Sequence, residues 1–122
     1  MISLVFVLLA SICNAIMDTI SFHYETSIFS KLNPNYWNPT ISWKNKYVDW
    51  DNGNRERKKI FGINIAPAFL DAWHLFKSLM IILFALSIVL YKVYFNLIID
   101  FIVIGLVWNV FFSLFYNKIL KK

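Results

Sequence analysis

The chain opens on an apolar run, breaks into a long polar stretch and ends on two further apolar runs. Ile2 to Ile12 carry no charge, and the first acid is Asp18. Leu79 to Leu90 are apolar apart from Ser87, and the last run holds Asp100 as its only acid and no base before Lys118. Polar positions do not recur through these runs as they would on the wet face of a soluble helix. Nor do Met80-Ile81-Ile82-Leu83-Phe84-Ala85-Leu86 alternate as a membrane β-strand would. A helix rising about 1.5 Å per residue crosses a ~30 Å hydrocarbon core in roughly 17–25 residues. The pattern therefore predicts an all-α membrane protein with three transmembrane helices, at about residues 2–20, 67–91 and 94–118. Pro67 suits a first helical turn, where its missing N–H would have no partner. Only Tyr91 to Asn96 separate the last two runs, which predicts an antiparallel hairpin. Residues 21–62 are too polar to span and are expected to form a long irregular loop at the interface, residues 1–122 making a single membrane domain. A cleaved signal would carry a base ahead of its apolar core; none occurs before Lys31, so the first run reads as a retained helix.

Composition agrees. The chain is 59% hydrophobic and 16% charged, against about 45–50% and 25% in soluble domains, so an ordinary soluble fold is excluded. Cys13 stands alone, which excludes an intramolecular disulfide and any multi-cysteine metal cluster; it reads as a small apolar helix residue. The net charge of +5 matters through its distribution. Lys31, Lys44, Lys46, Arg55, Arg57, Lys58 and Lys59 lie in the long loop, and Lys118, Lys121 and Lys122 follow the last apolar run. The other side has Lys92 and the amino terminus. With an odd number of spans the two basic regions share a side, so the positive-inside rule places the N-terminus outside and the loop and C-terminus in the cytoplasm.

The loop reads as a membrane-surface module. Ser21 is expected to cap a short helix through about Leu32, with Tyr24, Ile28 and Leu32 on one face. Asn33-Pro34 and Asn38-Pro39 force turns, and Asn52-Gly53-Asn54 signals another. Trp37, Trp43 and Trp50, interleaved with Lys44 and Lys46, favour the headgroup region, where ring and N–H are both satisfied. Alternating aromatics and bases also suit single-stranded nucleic acid, but beside membrane helices the bilayer interface is the simpler account, and no nucleic-acid partner is expected. The cluster Arg55, Arg57, Lys58, Lys59 attracts anionic lipid headgroups and enforces topology. A membrane-protein partner or a second copy of the chain is the other class of partner.

Ionisable groups inside a bilayer are costly and call for a functional account. Asn14 and Asp18 share a face of the first helix, His23 follows, and Asp71, His74 and Lys77 form a stripe at the start of the second. All lie near one interface, so Asp18 and His74 are expected to be close in space. Asp18, His23, Asp71 and His74 are the candidate metal ligands, for zinc or another divalent cation, and equally the candidate acid–base groups. A charge-balanced structural network is the plainer alternative. Asp100 lies near the opposite face and is expected to pair with Lys92 or to reach for the interface. No HExxH, GxSxG or phosphate-binding glycine loop is present.

The strings Trp37-Asn38-Pro39 with Ser42-Trp43-Lys44-Asn45-Lys46-Tyr47, and Asp71-Ala72-Trp73-His74-Leu75-Phe76-Lys77, resemble a group of small membrane proteins from Bacteroides-like bacteria and their phages. The resemblance covers about residues 14 to 80. It implies no activity, only that the loop and the start of the second helix are one unit. The leading functional expectation is a polytopic membrane protein that binds lipid headgroups or a membrane partner through its basic, Trp-rich loop. The alternative is a membrane-embedded, metal-dependent hydrolase of a lipid-linked substrate, and a third is an oligomeric ion or transport component.

Overall fold

A computed structural model describes residues 1–122. Three helices are long and apolar enough to cross a membrane. The first runs Ile2–His23, the second Ala72–Val89 and the third Leu97–Leu114, which continues through a π turn at Phe115–Ile119. The sequence reading placed these helices correctly and their ends a few residues off. The second helix starts at Ala72 because Asp71 caps it, accepting from the His74 N–H at 2.9 Å; Pro67–Phe69 forms a separate 3-10 turn before it. The third starts at Leu97 because Asn96 caps it, accepting from the N–H groups of Ile98 and Ile99.

The first helix is the hub. It packs against both others, whereas the second and third touch one another mainly through side chains such as Phe84 and Trp108, stacked at 4.9 Å. Of the apolar window of each helix, 44% is buried in the first but 11% and 6% in the second and third. Outer helices so bare would be a liability in water and are at home in hydrocarbon. Ser3, Val7, Ala10, Ser11, Ala15 and Thr19 are buried along the hub; such small residues let neighbouring helices approach closely, the packing that works in lipid.

The main apolar core lies at one end of the bundle. Ala15, Ile20, Tyr24, Phe29, Ala72 and Leu120 meet there. After the first helix the chain makes two 3-10 turns, Tyr24–Thr26 and Ile28–Lys31, the latter capped by Ser27. The expected amphipathic helix from Ser21 to Leu32 does not form. Tyr24 and Phe29 turn inward, while Ile28 and Leu32 stay exposed.

From Asn33 to Asn64 the stretch is a string of short regular elements. Asn33 and Asn38 each cap a one-turn helix, Pro34–Trp37 and Pro39–Ser42, with proline in its first turn. Strand β1 (Tyr47–Asp49) pairs antiparallel with β2 (Asn54–Arg57), and β3 (Lys59–Ile60) with β4 (Ile63–Asn64). The Asn52-Gly53-Asn54 signal marks the first ribbon's turn, with Gly53 at φ 85°. Residues 120–122 return to the end of the first helix. Ile28 N–H donates to Leu120 O at 3.0 Å, Lys122 N–H to Thr26 O at 2.7 Å, and Lys122 Nζ to Ser30 Oγ at 2.6 Å.

Candidate functional site

Local sequence builds the loop end in layers. Trp37 stacks on Phe29 at 4.9 Å and leans on Phe76 of the second helix at 5.9 Å, which seats the first part of the loop on the core. Asn45 fastens the middle: its Nδ2 donates to Asn35 O at 2.5 Å and to Leu70 O at 2.8 Å. Trp43, Tyr47 and Trp50 form a second aromatic cluster with ring centroids 4.7–6.5 Å apart. Cations lie over these rings: Lys44 over Trp43, Lys46 over Tyr47, and Arg55 over Trp50 at 4.4 Å. Two more such pairs, Lys77 with Trp73 and Lys121 with Tyr116, occur on the second helix's first turns and just after the third helix. All five cation–aromatic pairs thus belong to the loop or to the helix ends that meet it. Arg57, Lys58 and Lys59 continue the basic surface along β2 and β3.

Beside this surface lies a crevice of about 190 Å³ lined by Ser21, Ser42, Trp43, Asp71, Trp73 and His74, among others. Asp71 is 4% exposed. Its carboxylate accepts the His74 backbone N–H and also His74 Nδ1, at 2.8 Å to one oxygen and 3.0 Å to the other. The i, i+3 spacing at a helix start makes this geometry, since cap and third helical residue face one another. The arrangement holds the imidazole by Nδ1 and leaves Nε2 for whatever enters the crevice. Burial and, next, the Asp71 carboxylate push the Tyr36 phenol above its usual pKa.

The predicted four-residue centre is not assembled. No group of three or more His, Cys, Asp or Glu side chains converges in a way that could hold a metal ion. Asp71 and His74 meet, but His23 is set edge-on to Tyr116 at 5.5 Å. Asp18 has no ion pair: the two in the molecule are Lys44–Asp51 and Asp71–His74. Lys77 is drawn to the Trp73 ring, not to either acid. Asp18, expected close to His74, makes neither an ion pair nor a hydrogen bond with it. A single carboxylate and a single imidazole do not fill a zinc coordination shell.

Asp100 corrects a second expectation. It neither pairs with Lys92 nor reaches outward; it is 5% exposed. Its carboxylate accepts from Tyr91 OH at 2.8 Å, Tyr94 N–H at 2.8 Å and Phe95 N–H at 3.2 Å. The signal available was an acid in a helix's first turn, directly after a tight connection with free backbone N–H groups. The clip made by Asn45 and the crevice hydroxyls Ser21 and Ser42 also escaped the sequence reading, because all three depend on contacts distant in the chain.

Compared with protein-family models, with curated proteins and with solved structures, the chain matches none.

Proposed function

We propose that this chain is a multi-pass membrane protein whose loop end lies in the cytoplasmic headgroup region and binds anionic lipid or a membrane partner there. On this reading all 122 residues form one membrane domain, the last two helices cross as an antiparallel hairpin, the N-terminus is outside, and the loop and residues 120–122 are cytoplasmic. The observation that carries it is the gathering of five cation–aromatic pairs at the loop end. An aromatic ring favours the boundary between headgroups and acyl chains, and a cation over it favours the phosphates just above. The hydrogen bonds joining residues 26–30 to residues 120–122 support the shared side of loop and C-terminal lysines.

The reading is tested in vesicles containing brominated phospholipid. Lipid bromines should quench part of the tryptophan fluorescence, and that part should shrink when Trp43 and Trp50 are both replaced by Phe. Quenching of these two by aqueous acrylamide alone would overturn it. For topology, cysteines introduced at Asn52 and Lys121 on a Cys13→Ser background should both react with an impermeant reagent from the same side.

One observation favours a second reading, hydrolysis of a lipid-linked substrate. Asp71 holds His74 by Nδ1 beside a crevice lined by Ser21 and Ser42, which suits His74 to act as a general base without a metal. Turnover of a lipid-linked ester or phosphodiester that is lost in His74→Gln would support it; equal turnover in that variant would sink it.

A further inference from the structure

The second ribbon, β3–β4, has a tip unlike any other part of the loop. Lys59 pairs with Asn64 and Ile60 with Ile63, leaving Phe61 and Gly62 as the turn. Both have positive φ, 51° and 77°. Two successive residues of this kind make a type I′ turn, for which Asn-Gly and Asp-Gly are the favoured pairs. Glycine adopts the conformation freely; a bulky side chain there is an outlier. Phe61 is the only non-glycine residue in the chain with positive φ. Its ring gains nothing from packing in return, being 99% exposed, with Ile63 at 74% and Ile60 at 56%.

The base of this ribbon is fixed and basic. Lys58 N–H donates to Lys46 O and Lys58 O accepts from Ile65 N–H, each at 2.9 Å, so the ribbon is tied to the first one while its tip is free. Arg55, Arg57, Lys58 and Lys59 precede the tip, with Glu56 as the one acid among them.

We propose that Ile60-Phe61-Gly62-Ile63 is a wedge that enters the headgroup–acyl boundary of an anionic leaflet, while Arg55, Arg57, Lys58 and Lys59 engage the lipid phosphates. The inference rests on the interfacial reading of the loop end. Charge and tethering select the occupant. The tip needs an apolar medium and its base needs anions, and an anionic leaflet supplies both within one side chain's length. The three membrane-crossing helices hold that leaflet beside the ribbon, so insertion is an intramolecular step at high effective concentration. Backbone strain retained at an exposed position is explained when the strained side chain is the one that does the binding.

The test uses the full chain with Cys13→Ser and a nitroxide on Ile63→Cys, in vesicles of phosphatidylcholine with or without phosphatidylglycerol. Relaxation by oxygen reports the acyl region, and relaxation by a water-soluble nickel chelate reports the aqueous phase. With phosphatidylglycerol present, oxygen should exceed nickel several-fold at this position, and less so without it. Adding Phe61→Asn should return the label to water. That substitution creates the best type I′ pair, so the ribbon is kept and only the wedge is lost. A label on Asn52→Cys, in the turn of the first ribbon, should stay nickel-accessible throughout. Nickel dominance at position 63, depth indifferent to phosphatidylglycerol, or no response to Phe61→Asn would each overturn the proposal. Lipid quenching of Trp43 and Trp50 with an aqueous label at 63 would remove the wedge alone. Aqueous behaviour of both would remove the interfacial reading with it.

Discussion

Asp71 and Asp100 are the same residue in nearly the same situation: each sits at the start of a helix long and apolar enough to cross a membrane, and each is almost fully buried, at 4% and 5% exposure. Their partners differ. Asp100 is closed off by a phenol and two backbone N–H groups, all from the connection just before it. Asp71 spends its oxygens on one backbone N–H and on an imidazole that borders a crevice. The first arrangement is a knot that holds a short turn in shape. The second joins a helix cap to a titratable group within reach of a ligand. Burial alone therefore does not mark an acid as functional; the chemistry of what answers it does.

Removing each carboxylate separates the two roles. Asp100→Ala leaves the buried carboxylate's three part-buried donors without their acceptor, and a hydrogen bond of this kind contributes about 1 kcal/mol net. The largest loss of stability is expected there, on the order of 3 kcal/mol, read by denaturant unfolding in detergent micelles. A loss no greater than that of Asp71→Ala would erase the distinction. Asp71→Ala should cost less, roughly 1–2 kcal/mol for the cap plus the contact to His74. Asp71→Ser keeps the capping oxygen and loses the imidazole contact, so it should recover most of the stability. If the crevice is catalytic, it should recover none of the activity.

Alkali gives a finer probe of the knot. The hydrogen bond to Asp100, then burial, then the carboxylate's charge raise the Tyr91 phenol above its usual pKa. A group whose folded value is raised contributes stability that is complete below its unfolded value, near 10 for tyrosine, and is lost as pH climbs through the higher folded value. Stability should accordingly fall above about pH 10, and Tyr91→Phe should lose part of that dependence. An identical alkaline profile in the variant would show that the phenol is not coupled to Asp100. The smallest effect is expected at the Asn45 clip. Asn45→Ala frees two carbonyls on a half-exposed surface, for about 1 kcal/mol, and should show as faster hydrogen exchange across residues 33–46 with the helices unchanged.

The spans were legible because an unbroken apolar run of this length seldom forms anything but a membrane helix. Their starts were less so, because Asp71 and Asn96 set them through hydrogen bonds and not through hydropathy. The Asp71–His74 contact was within reach of the sequence, being local in a helix. The wider cluster with Asp18 and His23 was not. It required knowing which side of the first helix faces the second, and a helix apolar all round has no face that sequence alone can assign. The same blindness set Tyr24 on one face with Ile28 and Leu32; in the fold Tyr24 is core and the other two are exposed, because the chain leaves helical phase after His23.

The π turn at Phe115–Ile119 bears on how this chain could have arisen. Its wide ring, with Leu120 N–H bonded five residues back to Phe115 O at 2.9 Å, accommodates one residue more than an α-helical turn would. In evolutionary terms it has the form of a single-residue insertion absorbed without breaking the helix. Deleting a residue within the turn would close it to an α turn and keep Leu120 in phase, whereas deleting one from the α-helical stretch before it would rotate everything beyond by about 100°. In the second case Leu120 would leave the core, and the backbone groups of Thr26 and Ile28 would lose their partners. One codon would then separate a bundle latched at its loop end from one left open.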